Sequence, residues 1–229
     1  KDPTQTEGTT IADVLSAEIG GTFELENVLV VGANTNGVLL QQMGSYIYAF
    51  YGSEHNLQVG DLLKVSGTTT SRNGLVQFGS GCTLEKIGTA AVTFPQSETL
   101  DVQAIESYMS TPCIKYVTYS GTVLLSGNYT NLEIEGSSVV GSLDYMSEEF
   151  REQYSKHNIT VTGWLFGSYK SYLYTIPVEV VDNGIPQEDV PDGAIFYSNF
   201  DADLASQTFG DGGQWPYLDQ FEGWKNEKG

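Results

Sequence analysis

From Phe23 to Phe78 apolar and polar residues alternate with a period of two, the pattern of strands that bury one face. Phe23, Leu25, Leu29 and Val31 mark one long strand. GVLLQQMG and SYIYAFYG predict two more, joined by a turn at Gly44–Ser45. A tight turn at Gly60–Asp61 opens a fourth strand. Arg72–Asn73–Gly74 then predicts a hairpin into LVQF, because Asn-Gly accepts the left-handed angles of a primed turn. Ahead of this block, Thr10 and Asp13 fit a capping box for a short helix carrying Ile11, Val14 and Leu15.

The same grammar then repeats. DVQAIESY (101–108) predicts a second short helix, bracketed by Pro95 and Pro112. Strands follow in KYVTYSGTVLL, NLEIEG, VVGSL, ITVTGWLF and SYLYTIPVEVV. Ile11 corresponds to Val102, Gly44 to Gly136 and Gly67 to Gly163, and the second copy inserts a helical stretch, SEEFREQYSKH (147–157). The expected division is a flexible tether (1–9), a first β-rich domain (10–90), a second (91–182), and a linker with the start of a third β-rich domain (183–229). About 40 residues cannot close a sandwich that needs about 100, so the polypeptide is expected to continue past Gly229.

Charge narrows the chemistry. The 229 residues carry 29 acidic and 10 basic side chains, a net charge of -19, and no region is net basic. That opposes a protein that lives by neutralising phosphates. Two histidines and two cysteines leave zinc and redox sites almost without ligands. Cys82 and Cys113 read either as one disulfide in an exported chain or as two small apolar residues. Neither His55 nor His157 lies beside a nucleophile motif, so no catalysis, no cofactor and no metal are expected. Asp201, Asp203 and Asp211 supply hard oxygen ligands, but without the spacing of a calcium-binding loop.

Strand–strand–strand–helix–strand–strand in about 80 residues is the layout of the OB fold, a five-stranded Greek-key barrel. NGVLLQQMGSYIYAFYG with LQVGDLLKVSGTTTSRNGLVQF resembles the OB-fold domains appended to secreted bacterial nucleases and found in exported lipoproteins of gut bacteria. Gly44, Tyr48, Phe50 and Val59–Gly60–Asp61 match that pattern, whereas Gln42 replaces its usual acidic residue. The fold class expected is therefore all-β, two tandem five-stranded OB barrels with short helices, followed by the opening strands of a sandwich-like segment. The resemblance implies a nucleic-acid-binding lipoprotein, exported and anchored at the outer membrane or cell surface (or periplasmic) by a lipid outside this chain. A monomer is expected, and no apolar run is long enough to span a bilayer.

Aromatic residues carry the site reading. With Ile47 and Ala49 pointing inward, Tyr46, Tyr48 and Phe50 face outward on strand three, where OB folds bind oligonucleotides or oligosaccharides. In the second copy Ile159, Val161 and Leu165 take the inward phase, leaving Trp164 and Phe166 outward, with Tyr169, Tyr172 and Tyr174 following. These rings either stack on a ligand or pack against the other barrel or the C-terminal segment. Alternative roles are a glycan- or protein-binding module, or a spacer holding a downstream domain.

Overall fold

The capping box forms as its residues predict. Thr10 Oγ1 accepts from the Asp13 backbone N–H at 3.2 Å, and Asp13 Oδ2 accepts from that of Thr10 at 2.8 Å, opening α1 (Ile11–Ser16). A computed structural model describes residues 8–186. Contacts divide the chain into two units, Lys1–Pro186 and Gln187–Gly229. Most of the expected tether, most of the expected third domain, and Asp201, Asp203 and Asp211 lie outside the described residues.

The first barrel consists of β1 (Thr22–Asn34), β2 (Gly37–Gln42), β3 (Ser45–Phe50), β4 (Asp61–Arg72), β5 (Leu75–Phe78) and β6 (Thr83–Thr89). The strand order is β1-β2-β3-β5-β4, closed by β4 pairing with β1, while β6 continues along β4 beyond β5. The second begins with a short edge strand, β7 (Glu98–Thr99), and α2 (Val102–Tyr108). It continues through β8 (Ile114–Ser126), β9 (Tyr129–Glu133), β10 (Val140–Ser142), α3 (Glu148–Tyr154), β11 (Asn158–Tyr169) and β12 (Tyr172–Asp182). Its order is β8-β9-β10-β12-β11, closed by β11 on β8. Within the closed rings β3–β5 and β10–β12 pair parallel and the other ladders antiparallel, while the edge strand β7 pairs parallel with β8. The protein is all-β, with two tandem barrels of OB topology.

Each barrel has its own core. Leu25, Val28, Val30, Leu40, Ile47, Leu63 and Phe78 fill the first; Tyr119, Val123, Leu132, Leu143, Val161 and Leu165 belong to the second. The phase of β1 differs from the simple alternation. Asn27 adopts φ 56°, and the pairing with β4 skips between Leu25 and Val28. This bulge flips the strand, so Leu25, Val28 and Val30 point inward while Leu29 and Val31 point out. The β2–β3 turn uses Met43 (φ 51°) and Gly44 (φ 80°), one residue earlier than expected, whereas Asn73 (φ 54°) and Gly74 (φ 79°) make the predicted primed turn. Cys82 is buried, Cys113 is exposed, and both are free thiols, so no disulfide joins them.

The Val-Gly-Asp turn has a structural use. Asp61 is 3% exposed; its carboxylate accepts from Gln58 N–H at 3.0 Å and pairs with Lys86 Nζ at 2.6 Å. Burial pushes the carboxyl up, but Lys86 and the Gln58 N–H outweigh it, and the net shift is downward. A depressed carboxyl contributes stability that is present above its unfolded pKa of about 3.9 and is lost as pH falls through the folded value. Asp61→Asn is expected to lower stability at neutral pH by about 1.5–3 kcal/mol, the range for a hydrogen bond to a charged group, and to flatten the acid limb of the profile. Urea melts of both proteins at pH 7 and pH 3 check this; parallel acid limbs would refute it.

Candidate functional site

The alternation on β3 places Ile47 and Ala49 inside and Tyr46, Tyr48 and Phe50 outside, as the sequence predicts. On β11 Trp164 and Phe166 also face outward. These two sets meet each other. Tyr46 packs on Trp164 and Tyr48 on Phe166, each with ring centroids 4.8 Å apart. Tyr116 lies 4.8 Å from Trp164, and Phe94, from the connection between barrels, stacks on Tyr116 at 5.3 Å. Trp164 is 2% exposed and Phe166 6%. A second irregularity in β1, between Val30 and Gly32, leaves Val31 outside the β2 register, and its carbonyl accepts the Trp164 indole N–H at 2.9 Å. Burial drives the Tyr48 hydroxyl far above its usual pKa, although its bond to Asn34 opposes this, so it stays neutral.

The loops beside this face are engaged as well. Thr35, between β1 and β2, donates to the Tyr145 carbonyl through its N–H (3.0 Å) and hydroxyl (2.9 Å). Asn73, between β4 and β5, accepts the Ser168 N–H at 2.9 Å. OB folds bind ligands on strands two and three between these two loops. In the first barrel the rings of that surface pack against the second barrel. Tyr46, Tyr48, Phe50, Trp164 and Phe166 therefore take the packing role, not that of an open platform.

The corresponding surface of the second barrel is open. Leu132, Leu173 and Val123 point into the core, so their neighbours point out. One cross-strand row runs Tyr169, Tyr172, Val140, Glu133; the next runs Tyr174, Ser142, Asn131, Leu124. Tyr129 begins β9 beside these rows. Tyr129 is 63% exposed, Tyr169 57% and Tyr172 38%. Of the eight rings read from the sequence, Tyr169 and Tyr172 belong here, while Tyr174, half-buried, also packs against the seam. Tyr129 and Asn131 escaped that reading, although Thr130 and Leu132 in YTNLE give them the same alternation used for β3.

Charge is distributed unevenly around this face. Lys64, Lys86 and Lys115 are in ion pairs with Glu24 and Glu26, Asp61, and Glu98. Among the described residues Arg72, Arg151, Lys156 and Lys170 form none, and Arg72, Arg151 and Lys170 border the tyrosine face. Lys170 sits in the β11–β12 turn, 5.4 Å from the Tyr169 ring centroid, and Arg151 donates to Gly127 in the β8–β9 turn. Arg72, from the first barrel, shares a cleft of about 10 Å³ with Asn73, Gln77, Asp144 and Tyr145, room for about one water. Burial raises the Asp144 carboxyl and the Tyr174 hydroxyl, and Arg72 partly offsets both.

A groove of about 430 Å³ lies elsewhere, floored by Ala33, Phe150, Tyr154, Val178 and Val180. Its one charged lining residue is Glu149, and no cation lines it. No group of three His, Cys, Asp or Glu among the described residues could hold a metal ion. His157 pairs with Asp182 at 2.9 Å, and His55 bonds the Gly37 carbonyl at 3.2 Å.

Fold and site together describe tandem OB-type barrels with one stacking face closed and one open. No protein family and no curated protein matches the sequence. Among solved structures the chain is similar to one in a replication protein A heterotrimer bound to ssDNA, at 13% identity and a TM-score of 0.30, covering 83% of this chain and 53% of that one. It thus spans about half the length of that relative. It is also similar to a chain from a structure of "structural mimicry for functional antagonism", at 11% identity and a TM-score of 0.29, covering 72% and 93%.

Trp164→Ala is expected to cost about 3–5 kcal/mol, as for a large buried ring. Trp164→Phe should cost about 1–3 kcal/mol, because the Val31 carbonyl loses its partner. Tyr169→Ala should stay within about 0.5 kcal/mol of the parent. Denaturant melts of the three variants check this ranking, and a Trp164→Ala protein as stable as the parent would overturn the account of the seam.

Proposed function

We propose that this chain is a non-catalytic binding module that takes a single-stranded oligonucleotide on the tyrosine face of its second barrel. The observation that carries the reading is that three of the four described cations outside ion pairs lie beside the open rings. Arg72, Arg151 and Lys170 border the open rings, whereas Lys64, Lys86 and Lys115 are neutralised by carboxylates. Bases stack on tyrosines regardless of sequence, at about 1–3 kcal/mol per ring, while a few cations meet the backbone. The first barrel then acts as the scaffold that fixes the second.

The net charge of -19 favours a second reading, in which the same rings stack on a neutral oligosaccharide. The wider setting rests on the resemblance of the β2–β4 segment: an exported, monomeric chain, held at the outer membrane or cell surface by a lipid anchor outside it. No helix among the described residues is long and apolar enough to cross a membrane.

Fluorescence anisotropy with a labelled single strand of about 8 nucleotides, within the OB site-size range, tests the proposal. Three cations at about 0.7 ions each predict a slope of log K on log salt near about -2, shallow for a nucleic-acid binder. Tyr129→Ala and Tyr172→Ala should each weaken binding by about 1–3 kcal/mol. No binding even at low salt would sink the proposal, and salt-independent binding of an oligosaccharide would put the second reading in its place.

A further inference from the structure

The groove of about 430 Å³ beside α3 has walls of two kinds. One is the helix inserted in the second copy, which turns Glu149, Phe150, Gln153 and Tyr154 into it at helical spacing. The other is β12, with Val178 and Val180, and Ala33 of the first barrel lies alongside, so both barrels contribute. A bulge shapes the β12 wall: Thr162 pairs with Glu179 and Gly163 with Pro177, which leaves Val178 out of the ladder. A side chain at Gly163 would collide with the Ile176 carbonyl, so the bulge depends on that glycine. Tyr145, just ahead of α3, adopts φ 60°, a costly conformation for a non-glycine residue, and two hydrogen bonds from Thr35 hold it there.

The apolar lining is left without a partner. Phe150 and Tyr154, with ring centroids 4.8 Å apart, pack against the second core on one side and face the groove on the other, and both valines are half-buried. Charge beside them has one sign. Glu149 lines the groove, Glu152 stands three residues on and Glu148 next to it; all are exposed, and none is in an ion pair among the described residues. Arg151, the one cation of α3, turns away to donate to the Gly127 carbonyl.

This combination selects among occupants. A nucleic-acid strand meets a carboxylate and no cation, and a second copy of a chain of net charge -19 is repelled. A sugar would press hydroxyls against apolar walls on both sides, at the cost of their hydration. We propose that the groove docks a segment of another protein in which apolar side chains alternate with Lys or Arg. The apolar side chains fill the space between the aromatic and valine walls, and the cations meet Glu149 and its neighbours on α3. Docking here does not depend on what the tyrosine face binds.

Fluorescence anisotropy on the full chain with three labelled peptides tests this: one of alternating Leu and Lys, one of Leu and Glu, and one of Ser and Lys. The Leu–Lys peptide should bind at least about 10-fold more tightly than the Ser–Lys peptide, the factor that burying one leucine supplies. The Leu–Glu peptide should not bind. Glu149→Lys should weaken the Leu–Lys peptide by about 5- to 30-fold, as an exposed attraction becomes a repulsion of similar size. Glu18→Lys makes the same change in net charge at an exposed position outside the groove, and screening should keep its effect within about 2-fold. Thermal melts confirm that both variants are folded. Failure of the Leu–Lys peptide to bind, or equal binding of the Leu–Glu or the Ser–Lys peptide, would overturn the docking site. Equal losses in Glu149→Lys and Glu18→Lys would assign the binding to overall charge and overturn it as well.

Discussion

The hydrogen bond from the Trp164 indole to the Val31 carbonyl is possible because β1 breaks its ladder at that residue. A regular strand would spend that carbonyl on β2 or turn it into the sheet plane. The bulge instead presents it to the neighbouring barrel at the centre of an aromatic seam. Around it Val31, Leu39, Tyr48, Tyr116, Phe166 and Ile176 form a third core, belonging to neither barrel alone. A large indole is buried there with its polar atom satisfied, as a lasting interface requires.

From that seam follows the division of labour between two copies of one topology. The first copy spends strand three and both flanking loops on holding its neighbour. The second offers a different surface to the seam, the outer sides of β8, β11 and β12, and so keeps its own second and third strands free. The two faces occupy the same place in the barrel topology, and docking covers one and leaves the other exposed.

Much of the architecture was legible because it depends on local chemistry. Asn73–Gly74 encodes its own turn, Thr10 and Asp13 their own cap, and the inward phase of Ile47, Ala49, Ile159, Val161 and Leu165 follows from alternation. The bulge at Asn27 was not legible, because a bulge adds one residue without changing composition, and every position beyond it then reverses its facing. The site was half legible for a related reason. Alternation says which rings leave a barrel, and Tyr169 and Tyr172 were found that way; it does not say which rings another barrel will cover. Arg72 read as a turn residue, because the cleft it shares with Asp144 exists only once the two barrels have docked.

Gly32 shows how tightly the copies are now bound together. A Cβ built on it would lie 3.2 Å from both Ile176 Cγ2 and Trp164 Cδ1, across the seam. A larger residue at position 32 would press on both side chains unless one of them moved aside, so substitutions at positions 32, 164 and 176 are coupled across the seam although the first lies more than 130 positions from the other two.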